Sequence, residues 1–135
     1  MDARTRAAFL ALIVAQAAHS IEEYRFRLYD AFAPARFVSG LFSDDLRTGF
    51  AVANVLLVLF GAWCYAAKVR PNRPSGRAFA GFWALLELGN GSSHVFFALA
   101  RQAYFPGVAT APFLLVISSY LLARLGAAAR EGVRA

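Results

Sequence analysis

Apolar residues come in four long blocks rather than at the spacing of an amphipathic surface helix. They run from about Arg6 to Tyr24, Thr48 to Lys68, Arg77 to Tyr104 and Gly107 to Arg124. A bilayer is crossed by roughly 17–25 mostly apolar helical residues. The pattern therefore predicts an all-α integral membrane bundle of four transmembrane helices, a single domain over residues 1–135. The second and fourth blocks are apolar almost throughout. The first and third qualify only if their polar residues face the bundle interior. Residues 25–47 form the longest connection. Their scattered aromatic and apolar positions, among them Phe26, Phe32, Phe37 and Phe42, predict an interfacial loop that lies on the membrane or caps the bundle. "VRPNRPSG" (69–76) is a basic turn whose prolines and glycine stop the helices on either side, and "FPG" (105–107) is a tight turn.

Composition supports the membrane reading. The chain is 59% hydrophobic and 16% charged, against roughly 25% charged in soluble domains. The first block lacks a small-residue cleavage site followed by a soluble domain, so it is expected to stay as a helix. Cys64 is the single cysteine and has no intramolecular partner. The net charge of +6 invites a nucleic-acid partner until its placement is considered. Arg4 and Arg6, then Lys68, Arg70, Arg73 and Arg77, then Arg124, Arg130 and Arg134 fall on one side of a four-span protein, with only Asp2 and Glu131 against them. The positive-inside rule makes that side cytoplasmic. The expectation is a multi-pass protein of the cell (inner) membrane with both termini in the cytoplasm and no nucleic-acid partner.

Several polar residues lie inside the blocks, where each ionisable group costs about 2.5–3.5 kcal/mol and usually marks function. His19, Glu22 and Glu23 are spaced i, i+3, i+4 and share one helix face, which Gln16 extends. Glu87, Asn90 and His94 form a second stripe on the third block. At about 1.5 Å per residue, His19, Asn90 and His94 all fall roughly 20–25 Å from the cytoplasmic ends of their helices. Residues of the first and third helices, with Asn54 of the second, can thus meet in the outer half of the bilayer.

Three motifs, His19-x-x-Glu22-Glu23, Asn90-x-x-x-His94 and Tyr104-Phe105-Pro106-Gly107, occur in this order over residues 19–107. In this the chain resembles the HXXEE family of small bacterial and archaeal membrane proteins. The resemblance implies a membrane location and enzymatic activity; it names no reaction and no substrate.

The chemistry has to come from the residues. Imidazole with carboxylate suits Zn, Fe or Mn, so a divalent metal is the expected cofactor, with His19, Glu23 and His94 as ligands. Glu22 is then base or further ligand, Asn90 orients water or substrate, and Glu87 is a supporting group or ligand. The expected partners are membrane lipids and a lipophilic small-molecule substrate. Two alternatives stay open: a metal-free acid–base isomerase of a lipid, and a non-enzymatic proton, ion or lipid-binding protein. A transport role would need a homo-oligomer, because four helices without an inverted repeat make a poor transporter. In a purely structural reading, Glu22 and Glu23 pair with Arg25 or Arg27 at the interface, and Tyr104 belongs to an aromatic belt.

Overall fold

The computed structural model describes the backbone of residues 1–134 and the side chains of residues 1–127 and Arg130. Glu131 and Arg134, counted above at the basic end, have side chains outside the described residues. Six helices follow in order: α1 (Ala3–Arg25), α2 (Leu28–Ala31), α3 (Ala33–Gly40), α4 (Leu46–Cys64), α5 (Gly76–Arg101) and α6 (Ala111–Arg134). A π-turn, Tyr65–Val69, extends α4. The described residues contain no strand.

The four long helices fall on the four apolar blocks and alternate in direction. α6 packs along α5 and also against α1, while α4 packs against α1 and α3. Residues 25–47 depart from the expected loop, because they fold into α2 and α3. Arg27, in the left-handed region at φ 57°, turns the chain after α1. Pro34 then starts α3 in the first turn, where a missing N–H costs nothing. α5 stops at Arg101, three residues before the expected Tyr104, because Gln102 is left-handed at φ 49°. α6 begins at Ala111 rather than Gly107, and its backbone runs past Arg124 to Arg134.

By length and composition, one helix among the described residues is able to cross a membrane: Leu46–Val69, 24 residues long, with an 18-residue stretch of mean hydropathy 1.9. This is less than the four spans the blocks predicted. α1 and α5 are long enough, with 23 and 26 residues, but their His, Glu and Gln or Asn residues lower their hydropathy. The apolar stretch of α6, Ala111–Ala127, is shorter.

One end of the bundle gathers the start of α1, the 69–76 turn and α6. The Met1 ammonium donates to Asn72 Oδ1 at 2.6 Å, Asp2 pairs with Arg124, and Arg77 donates to the Leu125 carbonyl at 2.8 Å. Asp2 also caps α1, accepting the Thr5 N–H at 2.8 Å. That bond is the main cause holding Asp2 at about 2, below its ordinary 3.8. Its capping is therefore complete above 3.8 and is lost as pH falls through about 2. At the start of α4, Asp45 caps the Arg47 and Thr48 N–H groups. The Thr48 hydroxyl is the largest cause holding Asp45 low.

Two apolar clusters hold the bundle. Phe9, Leu12 and Ile13 of α1 meet Ala80, Trp83 and Ala84 of α5 and Leu114 and Leu121 of α6 in the larger. The smaller joins Leu28 and Tyr29 to Phe50 and Phe105 and caps the other end. α4 and α5 converge near the basic end, where Phe60 and Trp63 pack on Phe79 and Trp83 with ring centroids 5.9–6.4 Å apart. Toward the capped end they leave a cavity between them.

α3 lies close on α4 because Gly49 has no side chain; a Cβ there would run into the Ser39 carbonyl. Gly49→Ala should therefore lower the Tm of the purified protein by the equivalent of about 1–3 kcal/mol, the usual cost of overpacking. Gly81, in the interior of α5, faces open space. Gly81→Ala should hold or raise the Tm, since Ala exceeds Gly in helix propensity by about 1 kcal/mol.

Candidate metal centre

α1 buries Gln16, His19, Ser20, Glu22 and Glu23, a width of polar surface that needs partners on every side. His19 and Glu23 are one turn apart, and His94 of α5 comes to meet them. His19 Nε2 lies 3.3 Å and His94 Nε2 3.1 Å from Glu23 Oε1. The imidazoles stand edge to face, centroids 4.6 Å apart. All three residues are buried, His19 completely.

The other ring nitrogens are held from outside. His94 Nδ1 lies 2.6 Å from the Pro106 carbonyl, which can only accept, so Nδ1 carries the proton. His19 Nδ1 lies 2.7 Å from Thr110 Oγ1. The Thr110 hydroxyl gives its one proton to Glu22 Oε2 at 2.5 Å, so its lone pair faces His19, and His19 Nδ1 donates. The hydrogen-bond network thus assigns one tautomer to both rings. A neutral imidazole protonated at Nδ1 carries its lone pair on Nε2, and both Nε2 atoms face Glu23.

Glu22 does not join that cluster. It points the other way on α1 and gathers the chain between α5 and α6. Its Oε1 accepts from the Tyr104 hydroxyl at 2.6 Å and from the Gly107 and Ala109 N–H groups at 3.1 Å each. Its Oε2 accepts from the Thr110 N–H at 2.8 Å as well as from the Thr110 hydroxyl. With five donors on its two oxygens, Glu22 has no free lone pair directed at the cluster. The structure thus places Glu22, expected as base or further ligand, outside the His19–Glu23–His94 cluster, where it anchors the turn. Glu22 and Glu23 also turn inward, away from Arg25 and Arg27, and Arg27 pairs with Asp30 instead. Tyr104 is half exposed, as a belt residue would be, but its hydroxyl is committed to Glu22.

Gly107 sits where a side chain cannot. Its φ is +95°, and a Cβ would lie 2.6 Å from His94 Nδ1 and 2.8 Å from His19 Cε1. The third motif is therefore the roof of the site: Tyr104 and Gly107 bind Glu22, Pro106 orients His94, and Gly107 lets the backbone pass over both rings. The tight turn at 105–107 was readable from Pro-Gly, but its closure over the histidines was not. Thr110 was missed altogether. A hydroxyl three residues after the glycine, at the start of a helix, was its only trace in the sequence.

Asn90 and Glu87 lie beside the cluster. Asn90 Nδ2 donates to Glu87 Oε2 at 3.2 Å and to Gln16 Oε1 at 3.4 Å. Gln16 donates to Ser20, and Ser20 to Asn54 of α4 at 2.7 Å, so a polar chain crosses three helices. Glu87 Oε1 is buried and has no partner. A cavity of about 910 Å³ reaches this chain and touches Glu23 and His94. It lies between α4 and α5 under α2 and α3.

Two lone pairs aimed at a carboxylate repel each other and it, unless a positive charge lies between. His19 Nε2, although near Glu23, has no hydrogen-bond partner. Metal bonds of 2.0–2.2 Å at tetrahedral angles would separate ligand atoms by about 3.3 Å, and the 3.3 and 3.1 Å from the two Nε2 atoms to Glu23 Oε1 match. The three ligand atoms lie within 4.8 Å of one another. Two imidazoles and one carboxylate leave coordination positions open, as catalytic Zn and non-haem Fe sites do. Ligating histidines commonly donate their second N–H to a protein acceptor, as both do here. The residues fit a divalent metal.

A family model described as a protein of unknown function with HXXEE motif matches residues 10–122. No curated protein and no solved structure matches the chain.

Thr110→Val should take the acceptor from His19 Nδ1 and a donor from Glu22. A lost hydrogen bond to a charged group is worth about 1.5–3 kcal/mol, so the Tm should fall accordingly. Gly107→Ala should disrupt the site more severely, because strain at positive φ adds to the clash with both rings. Thermal unfolding of the two variants beside the parent checks the order.

Proposed function

The chain belongs to the HXXEE family, proteins of unknown function, and from its site we propose that it is an integral membrane metalloenzyme acting on a lipophilic substrate. The convergence of the His19 and His94 Nε2 lone pairs on Glu23, with both Nδ1 atoms held as donors, carries the reading. His19, Glu23 and His94 hold Zn, Fe or Mn. The metal supplies Lewis acidity and an activated water or oxidant. The chain's own residues do the rest. Glu22 and Thr110 fix the His19 ring, and Pro106 fixes His94. Gly107 closes the roof against solvent. Asn90 and Glu87, in the cavity next to the ligands, orient the substrate and accept a proton from it.

A membrane location is supported by the outer surface. Val14 and Ile21 of α1, Val55 and Leu59 of α4, Phe82, Leu85 and Phe96 of α5, and Phe113 and Val116 of α6 are all more than half exposed. Water would oppose so broad an apolar surface, and lipid would not. In this reading all four long helices span, the polar stripes of α1 and α5 turn inward, and the basic end with both termini faces the cytoplasm. The metal site then lies in the outer half of the bilayer. The cavity mouth between α4 and α5 faces the acyl chains, with exposed Val38, Phe42, Leu85 and Leu86 around it.

The 3.1 Å between His94 and Glu23 is also the length of a hydrogen bond. It supports a second reading, in which a shared proton replaces the metal and the site isomerises a lipid by acid–base transfer.

Elemental analysis of the detergent-purified protein separates the two. Near-stoichiometric Zn, Fe or Mn is expected in the parent and in Asn90→Ala. Loss of most of it is expected in His19→Ala, Glu23→Ala and His94→Ala. A parent that stays empty after reconstitution with each metal would sink the metalloenzyme and favour the proton-transfer reading.

A further inference from the structure

The cavity beside the metal site has a distinct chemical character. Its polar end is made by Glu23, Glu87, Asn90 and His94, and none of its lining residues is Lys or Arg. Glu87 is 1% exposed, accepts one hydrogen bond from Asn90 and keeps Oε1 without a partner. A buried carboxylate oxygen without a donor carries a desolvation cost that a ligand donor removes. A phosphate or carboxylate head group would bring a further negative charge beside Glu87 and find no cation on the wall. A permanently cationic head would be set against the metal.

An uncharged hydroxyl suits both sides, because its proton can go to Glu87 Oε1 while its oxygen faces the ligands. Apart from Gln16, Asn54 and Ser93, the remaining wall is apolar and leads out past exposed Leu85 and Leu86. At about 30 Å³ for each water-sized group, the 910 Å³ of the cavity has room for one long chain and falls short of a two-chain lipid.

We infer that the cavity takes a single-chain lipid alcohol, its hydroxyl between Glu87 and the His19–Glu23–His94 cluster and its tail leaving between α4 and α5. This deepens the proposed function and rests on it for the role of the cluster.

The test is native mass spectrometry of the full-length protein titrated with hexadecanol, hexadecylamine and hexadecyl phosphate, with metal content measured on the same samples. Hexadecanol should bind at least tenfold more tightly than either of the others. Glu87→Gln should weaken hexadecanol about tenfold without changing metal content. Leu86→Trp, at the mouth and outside the polar end, should weaken it by obstruction alone.

Phosphate or amine binding as tightly as the alcohol would overturn the head-group assignment. Unchanged alcohol binding in both variants would overturn the location. Because the parent's rank order decides the first point, a poorly folding variant does not protect the inference. Full metal loading with the wrong rank order would leave the metal reading standing alone. The right rank order in a metal-free protein would do the reverse.

Discussion

One carboxylate, Glu22, organises the site without belonging to the cluster that would hold the ion. Five donors from Tyr104, Gly107, Ala109 and Thr110 meet on its two oxygens. They supply three of the backbone N–H groups that the turn into α6 would otherwise leave unpaired. The same carboxylate takes the Thr110 hydroxyl proton, which obliges Thr110 to accept from His19 Nδ1. Its negative charge thus sets a proton position on a ring it never touches. The Pro106 carbonyl, held in the same turn, does this for His94.

Around this centre the polar groups form two systems with opposite degrees of satisfaction. On the Glu22 side every oxygen is occupied, as burial demands. On the Glu23 and Glu87 side, a histidine nitrogen and a carboxylate oxygen are buried without partners, next to a cavity. Such incompletely paired groups are expected where a ligand completes them. The aromatic contacts of Phe60 and Trp63 with Phe79 and Trp83 hold α4 and α5 together at one end. α2 and α3 bridge the other, through Phe32 against Phe97 and Phe105. The cavity persists because its walls are fixed at both ends.

Much of this was legible in the sequence, and what was not has a physical cause. The blocks gave the four long helices, and the i, i+3, i+4 spacing put His19, Glu22 and Glu23 on one face. Adjacent residues on a helix diverge by roughly 100°, so one of Glu22 and Glu23 faces the site more squarely than the other. Which of them turned toward His94 depended on where α5 and the turn lay. Backbone N–H groups have no residue signature, so the partners of Glu22 were invisible. So was Thr110, whose part rests on a proton direction. α2 and α3 escaped because helices of four and eight residues are too short for a clear period. The long helices did not all carry the hydropathy of a span, because the residues that make the site dilute it.

The contacts that complete the site are among the most distant along the chain. His19 meets Thr110 across 91 residues, and Glu22 meets Tyr104 across 82. Contacts of such separation pay their loop-closure entropy late. During synthesis, α1 emerges with a histidine and two carboxylates whose distant partners arrive only when α5 and the chain through Thr110 have been made. Until then those groups lack the geometry to hold an ion. Ion capture would therefore come last in biogenesis, and a loaded centre would mark a chain whose assembly is finished.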